Sequence, residues 1–306
     1  MLEALHLRLA ELNQGRLTPR LPTRDWRDEL AREHELRVLE GEVVELERTE
    51  IAARAAGAPT DADAFVAWFE QLAHDGPGQG DALFPWLAER ADAAQMRWFL
   101  RQEVAGEAGF EDLVALTQLK LDARPKLELA RNYWDEMGRG TAGGMHGPML
   151  TRLAEELDLA SLERTVPVVW ESVALGNVMM ALAANRRFAY HSLGALGVIE
   201  LTAPGRAMCV NAGLKRLRIG ATARHYFALH STLDIKHSAA WIAEAIHPVV
   251  AAEPHAASAI AEGALLRLEA GRRCFERYRR ELGQSQPSFA SSARPVAESA
   301  APISLR

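Results

Sequence analysis

Cysteine is scarce: Cys209 and Cys274 are the only two in 306 residues. Two thiols make neither a disulfide framework nor a zinc site, and a reducing cytosol is the expected compartment. Strand signals are nearly absent, because almost no alternating β-branched run lies between turn pairs. No run of about 18 uncharged apolar residues occurs, so no segment is expected to span a membrane. The opening MLEALHLRLAELNQ carries acids and has no continuous apolar stretch, so it does not read as a signal peptide. A basic excess is also missing: 35 Lys and Arg against 41 Asp and Glu leave a net charge of −6. That argues against nucleic acid held on a basic face and against a polybasic membrane patch.

What is present is helix. Hydrophobic residues make up 48% and charged residues 25%, the balance of a globular chain. Ala, Leu, Glu and Arg, all strong helix formers, are abundant. Periodicity predicts helices over 2–13, 25–56, 61–74, 81–89, 92–119, 125–137, 146–157, 165–185, 194–216, 221–245 and 254–282. Thr60-Asp61-Ala62-Asp63 has the form of a cap followed by an acid in the first turn, and Pro125 suits the start of a helix. Pro204 marks a kink or a helix start. The expected organisation is an N-terminal helical extension over 1–55, one helical domain over 56–282, and a Ser-, Ala- and Pro-rich disordered tail over 283–306.

The sharpest chemical signal is His230-Ser-Thr-Leu-Asp234-Ile-Lys-His237. At about 100° per residue, positions i, i+4 and i+7 sit at roughly 0°, 40° and −20° around a helix, so the three side chains share one face. Tyr226, Leu233 and Trp241 fall on or beside that stripe, which turns it inward. Two imidazoles and a carboxylate facing an apolar core are costly unless something binds them, and a first-row metal ion is the simplest partner.

Three further signals join it. Glu136 ends one helix and His146 opens the next, across a loop carrying Gly138, Gly140, Gly143 and Gly144 that permits a tight connection. Glu200 is the one acid in a long apolar stretch. The turn expected near Arg218–Ala221 lies about midway between Glu200 and His230, so antiparallel helices would set the two nearly level. Glu103 and Glu107 are i, i+4 neighbours on the stripe of Phe99 and Phe110, and either one adds a further carboxylate.

Three or four carboxylates around three imidazoles nearly neutralise two divalent ions, whereas a single ion would leave the acids overcrowded and partly protonated. Nitrogen and oxygen donors without thiolate, in a helical bundle, favour iron or manganese. The ferritin-like pattern of paired Glu-x-x-His is absent: Asp234 and His237 give Asp-x-x-His, but no Glu-x-x-His occurs.

The order Glu136, ten residues, His146, then Glu200, thirty residues, His230-x3-Asp234-x2-His237 resembles the haem-oxygenase-like diiron oxidases and oxygenases, often called iron-containing redox enzymes. The stretches Asn132-Tyr-Trp-Asp-Glu-Met-Gly-Arg-Gly and Tyr226-Phe-Ala-Leu-His230 look like that family's two signatures, and the resemblance covers roughly residues 60–280. It implies an all-α, haem-oxygenase-like helical bundle. It also implies two Fe(II)/Fe(III) ions with O2 as co-substrate. Glu136, His146 and His237 would hold one iron and Glu200, His230 and Asp234 the other, with Glu103 or Glu107 as the extra carboxylate. Glu136, Glu200 and Asp234 would shift between terminal and bridging modes during turnover, through a peroxo-diiron(III) intermediate. The implied reaction is N-oxygenation of an amine or oxidative C–C or C–H cleavage on a small molecule, with an unidentified electron donor and a possible homodimer. Haem is not implied, since nothing around His34 or His74 specifies it.

Two other readings stay open. One is a metal-free enzyme of the same architecture, similar to thiaminase-like or quinone-cofactor-synthesis proteins. The other is a non-catalytic helical interaction protein. Gly194 and Gly197, one and two turns before Glu200, either open a pocket there or let two helices pack closely.

Overall fold

The computed structural model describes residues 2–22 and 25–283. The tail expected over 283–306 lies outside the described residues, apart from Gly283. Thirteen α-helices follow in order: α1 (Leu2–Leu17), α2 (Trp26–Ala55), α3 (Ala62–Asp75), α4 (Leu83–Glu89), α5 (Ala93–Gly106), α6 (Phe110–Thr117), α7 (Ala123–Glu136), α8 (His146–Glu156), α9 (Trp170–Ala184), α10 (Ala189–Arg216), α11 (His225–Trp241), α12 (His247–Ala252) and α13 (Ala256–Glu281). Among the described residues no strand occurs; the one extended pairing is an isolated antiparallel bridge between Met137 and Met145. The fold is the all-α bundle that the sequence predicts.

Local chemistry places several of these boundaries. Asp61 caps α3 by accepting from the Ala64 N–H at 3.0 Å. At α5, Asp92 and Gln95 form a reciprocal capping box. Two expectations change. The helix predicted over 92–119 is broken between Gly106 and Phe110, where Gly109 takes φ +76°. The helix predicted over 221–245 instead widens into one π turn, Ile242–Ile246. Pro248, in the first turn of α12, has no N–H to return to the carbonyl four residues back, and the ladder opens ahead of it. Pro204, by contrast, lies inside α10 without ending it.

Helix α10 is the axis of the bundle, packed against α13, α11 and α4. It is long and apolar enough by length and composition to cross a membrane, yet it carries Glu200 at its middle and is wrapped by these neighbours. Its first half contributes Leu193, Ala195, Leu196 and Val198 to a large apolar core shared with α1, α2, α3, α9 and the start of α13. The expected outer extension thus reaches inward, through Leu9, Leu36, Val43 and Ile51. The second half contributes Ala207, Val210 and Leu214 to a smaller core with α4, α5, α8 and the end of α13.

Gly194 and Gly263 explain how α10 and α13 meet. A Cβ on Gly194 would overlap the carbonyl oxygen of Ile260, and one on Gly263 would overlap that of His191. The two backbones touch, and a side chain at either position would force them apart. Gly197 faces the Trp241 indole, whose Nε1–H donates to the Leu193 carbonyl at 3.1 Å. Of the two readings of these glycines, close helix packing is the one found; neither lines a pocket.

Candidate metal centre

The polar site lies between the two apolar cores, at the level of Glu200. Helix α7 delivers Glu136 at its C-terminus. The loop that follows folds back on itself, with Gly138 and Gly140 at φ +60° and +83°, and the Met137–Met145 bridge closes it. Glu136 and His146 flank that bridge, and His146 Nδ1–H donates to Glu136 Oε2 at 2.9 Å. Helix α11 presents His230, Asp234 and His237 from one buried face. Helix α10 brings Glu200 to 3.4 Å from His237 Nδ1.

Glu136 joins the parts. Its Oε2 lies 3.5 Å from His230 Nε2 and its Oε1 lies 3.5 Å from His237 Nδ1. Two groups of possible metal donors result, Glu136–His146–His230 and Glu136–Asp234–His237, with the donor atoms of each group within 4.8 Å of one another. All of these residues are buried. The structure groups them differently from the assignment that the resemblance implied: His230 falls with His146, and His237 with Asp234.

Glu103 and Glu107 part company at the helix break. Glu107 Oε1 accepts from the Gly109 and Phe110 N–H groups at 3.0 and 3.1 Å, tying down the start of α6. Its Oε2 faces His146 Nε2 at 3.7 Å. Glu103 faces away from the imidazoles, towards Arg206, Arg267 and Tyr278.

The residues fit a metal. His230 Nε2, His237 Nδ1 and Asp234 Oδ1 are buried without hydrogen-bond partners and converge on the cluster. A buried polar atom left unpaired costs about 1–3 kcal/mol, so three of them consume much of a typical stability of about 5–15 kcal/mol. The opposite ring nitrogens are held. His230 Nδ1–H donates to the Tyr226 carbonyl at 2.7 Å, and His237 Nε2–H donates to Asp135 Oδ2 at 3.2 Å. This is how metal-ligating histidines are oriented, with one nitrogen anchored and the other free.

Protons carry the charge balance in the metal-free protein. Burial, then Glu200, pushes the Asp234 carboxyl up to about 8. Burial alone lowers an imidazole, but Glu200, Glu136 and Asp135 outweigh it at His237 and raise that ring to about 9. Burial at His146 is likewise outweighed by Glu107 and Glu136, which raise it well above its ordinary value. Glu136, despite burial, is held well below the carboxylate range by His146 and His230.

Two supporting residues were not singled out from the sequence. Asn132 Nδ2 donates to Glu200 Oε1 at 2.5 Å. Asp135 accepts from His237 and from Arg139 Nε, the latter at 2.6 Å. Asn132 stands one turn before Glu136 on the buried face of α7, a signal that was available; Asp135 shows its part only once α11 is in place. Tyr226 covers His146, its hydroxyl 3.1 Å from Nε2. Trp134, a candidate lining residue, is largely exposed.

A cavity of about 160 Å3 opens beside the cluster, lined on one side by Glu107, Glu136, His146, Glu200, His230 and Asp234. An all-helical bundle with an interior carboxylate–imidazole cluster and an adjoining cavity is the architecture of a helical metalloenzyme. The sequence matches the profile of the iron-containing redox enzymes over residues 97–272, more than half of the chain. The chain belongs to that family. Two crystal structures of a CADD-like protein of unknown function from Nostoc punctiforme share the fold. One is 22% identical with a TM-score of 0.55, covering 72% of this chain and 98% of that one. The other is 20% identical with a TM-score of 0.53, covering 75% and 99%. Curated protein sequences give no match.

Proposed function

We propose that this iron-containing redox enzyme is a non-haem oxidase or oxygenase that binds two irons, activates O2 and oxidises a small molecule in the adjoining cavity. The observation that carries this reading is the pair of donor groups sharing Glu136, with three buried donor atoms left unpartnered between them. Glu136, His146 and His230 would hold one ion, and Glu136, Asp234 and His237 the other. Glu200 and Glu107 stand beside them. Ions so held supply electrons to O2 and Lewis acidity at its oxygens.

The chain's own residues do the rest. Glu136 turns Oε2 to His146 and His230 and Oε1 to His237, so it would serve both donor groups. Asn132 orients Glu200, and Asp135 and the Tyr226 carbonyl orient His237 and His230, so that the free nitrogens point inward before any ion arrives. Asp234 and the imidazoles release protons as metal binds. Phe110 stacks on His146 and Tyr226 closes its other side, which keeps bulk water from the cluster. The reaction class, N-oxygenation or C–H and C–C oxidation, is set by which atom the cavity presents.

The test is O2 uptake by the protein loaded anaerobically with Fe(II), with freeze-quenched Mössbauer spectra of the product. Stoichiometric uptake yielding coupled diferric iron, lost in Glu200→Ala with the fold intact, is the expected result. Iron that binds but never consumes O2 faster than free Fe(II) would remove the oxygenase reading.

A further inference from the structure

The cavity has a second polar end that the metal cluster does not use. Arg206 on α10 and Arg267 on α13 both line it, together with Glu103. Both side chains are half-buried and face the cavity, and neither has a carboxylate within 4.0 Å among the described residues. Arg206 makes one hydrogen bond, from Nη2 to Thr202 Oγ1 at 3.1 Å, and otherwise lies 5.9 and 5.5 Å from the ring centres of Phe84 and Phe275. Arg267 is barer still: its Nε is buried with no partner. Burial, then the charge of Arg267, pushes Arg206 down to about 9. Glu103 acts on both guanidiniums and Glu107 on Arg267, but neither arginine is closely paired with a carboxylate, and a partly buried charge without a close partner is unfavourable.

An anion resolves this, and the geometry says which kind. The arginine fork matches a planar carboxylate. The cavity's remaining walls are largely apolar, with Phe84, Phe99, Leu175, Met179, Val210 and Phe275. A cavity of about 150 Å3 with such walls accepts a benzene ring. Arg206 follows Glu200 by six residues, roughly 9 Å along the helix axis, about the span of an extended chain of roughly seven carbons.

We infer that Arg206 and Arg267 form a carboxylate-binding subsite, and that the substrate is a small organic acid of about six carbons whose far end is presented to the metal cluster. This deepens the oxygenase reading and rests on it for the reaction. The binding itself needs no metal, because the arginines and apolar walls are preformed.

The test is calorimetric titration of the full-length metal-free protein with hexanoate and with 3-phenylpropionate, against the uncharged hexanamide. The expected result is saturable one-to-one binding of at least one acid, with hexanamide at least about tenfold weaker. Arg206→Met and Arg267→Met, each checked for helix content and cooperative melting, should weaken the acid at least about tenfold. If either arginine variant fails to fold, the other carries the comparison. Equal binding of acid and amide, no binding of either acid by folded protein, or acid binding kept in full by both folded arginine variants, would overturn the subsite. Anaerobic Fe(II) titration of the same preparations separates the two claims. Arginine-dependent acid binding without iron uptake leaves the subsite and removes the two-iron reading; iron uptake without acid binding does the reverse.

Discussion

Helix α10 accompanies α13 along its length, yet its two halves meet that neighbour in different ways. Around Gly194 the backbones touch: Gly263 and Gly194 each lie against the other helix's carbonyls, and Gly197 seats the Trp241 indole. From Glu200 onward the same pair of helices stands apart, and Ala203, Arg206 and Ala207 face Arg267, Gly271 and Phe275 across the cavity. The first half is closely packed, with His191 Nδ1 the one unpartnered polar atom there among the described residues. The second is lined with ionisable groups whose hydrogen bonds are incomplete. The comparison teaches that the close-packed half supplies the stability that the site half gives up, and that the rigid contact fixes where the donors stand.

The comparison breaks most visibly at the contact. Gly194→Ala or Gly263→Ala should lose about 3 kcal/mol or more in denaturant unfolding, because the added methyl meets backbone that cannot yield. A loss below about 1 kcal/mol would mean that the helices are not held there. At the site end stability and metal binding separate. Asp234 carries its proton at pH 7, so Asp234→Asn is nearly isosteric with it. Because Asn takes up no proton on folding, the metal-free variant should be more stable than the parent at pH 7. Its bound iron should fall from about two per chain to about one or none, by metal analysis. Asp135→Asn, which removes only the anchor of His237, should weaken iron binding about 10–100-fold in a competition titration with a chelator.

The smallest effect is a slope with pH. His237 is raised from 6.5 to about 9 in the folded state, so its contribution is whole below pH 6.5 and is lost as pH rises through 9. Asp234 is raised from 3.8 to about 8, so the fold holds a proton that the unfolded chain has released, and stability falls as pH rises through that window. Both act in one direction: metal-free protein should melt lower at pH 9 than at pH 6.5. Asp234→Asn should flatten the slope. A melting temperature that rises over this interval would contradict the protonation pattern.

Much of this was legible in the sequence, because the signals were local or strictly periodic. His230, Asp234 and His237 share a face by helical arithmetic alone, and the glycines between Glu136 and His146 announce a loop able to close. Glu200, expected level with His230, stands instead 3.4 Å from His237, about two turns further along α11. What was not legible depends on other elements. The break after Gly106 hides behind an apolar period that runs on unchanged, and Glu107 caps the next helix only because the chain has already turned. Whether Gly194 opens a pocket or admits a backbone depends on α13, some seventy residues away. His237, the partner of Asp135, likewise comes from a helix distant in sequence.

The central claim is that the cluster is a two-iron site, and counting tests it most directly. Full-length protein, freed of metal and titrated anaerobically with Fe(II), should saturate at about two irons per chain, with His230→Ala falling short. A folded protein that takes up no iron above background, or that saturates at one with His230→Ala unaffected, would contradict the account.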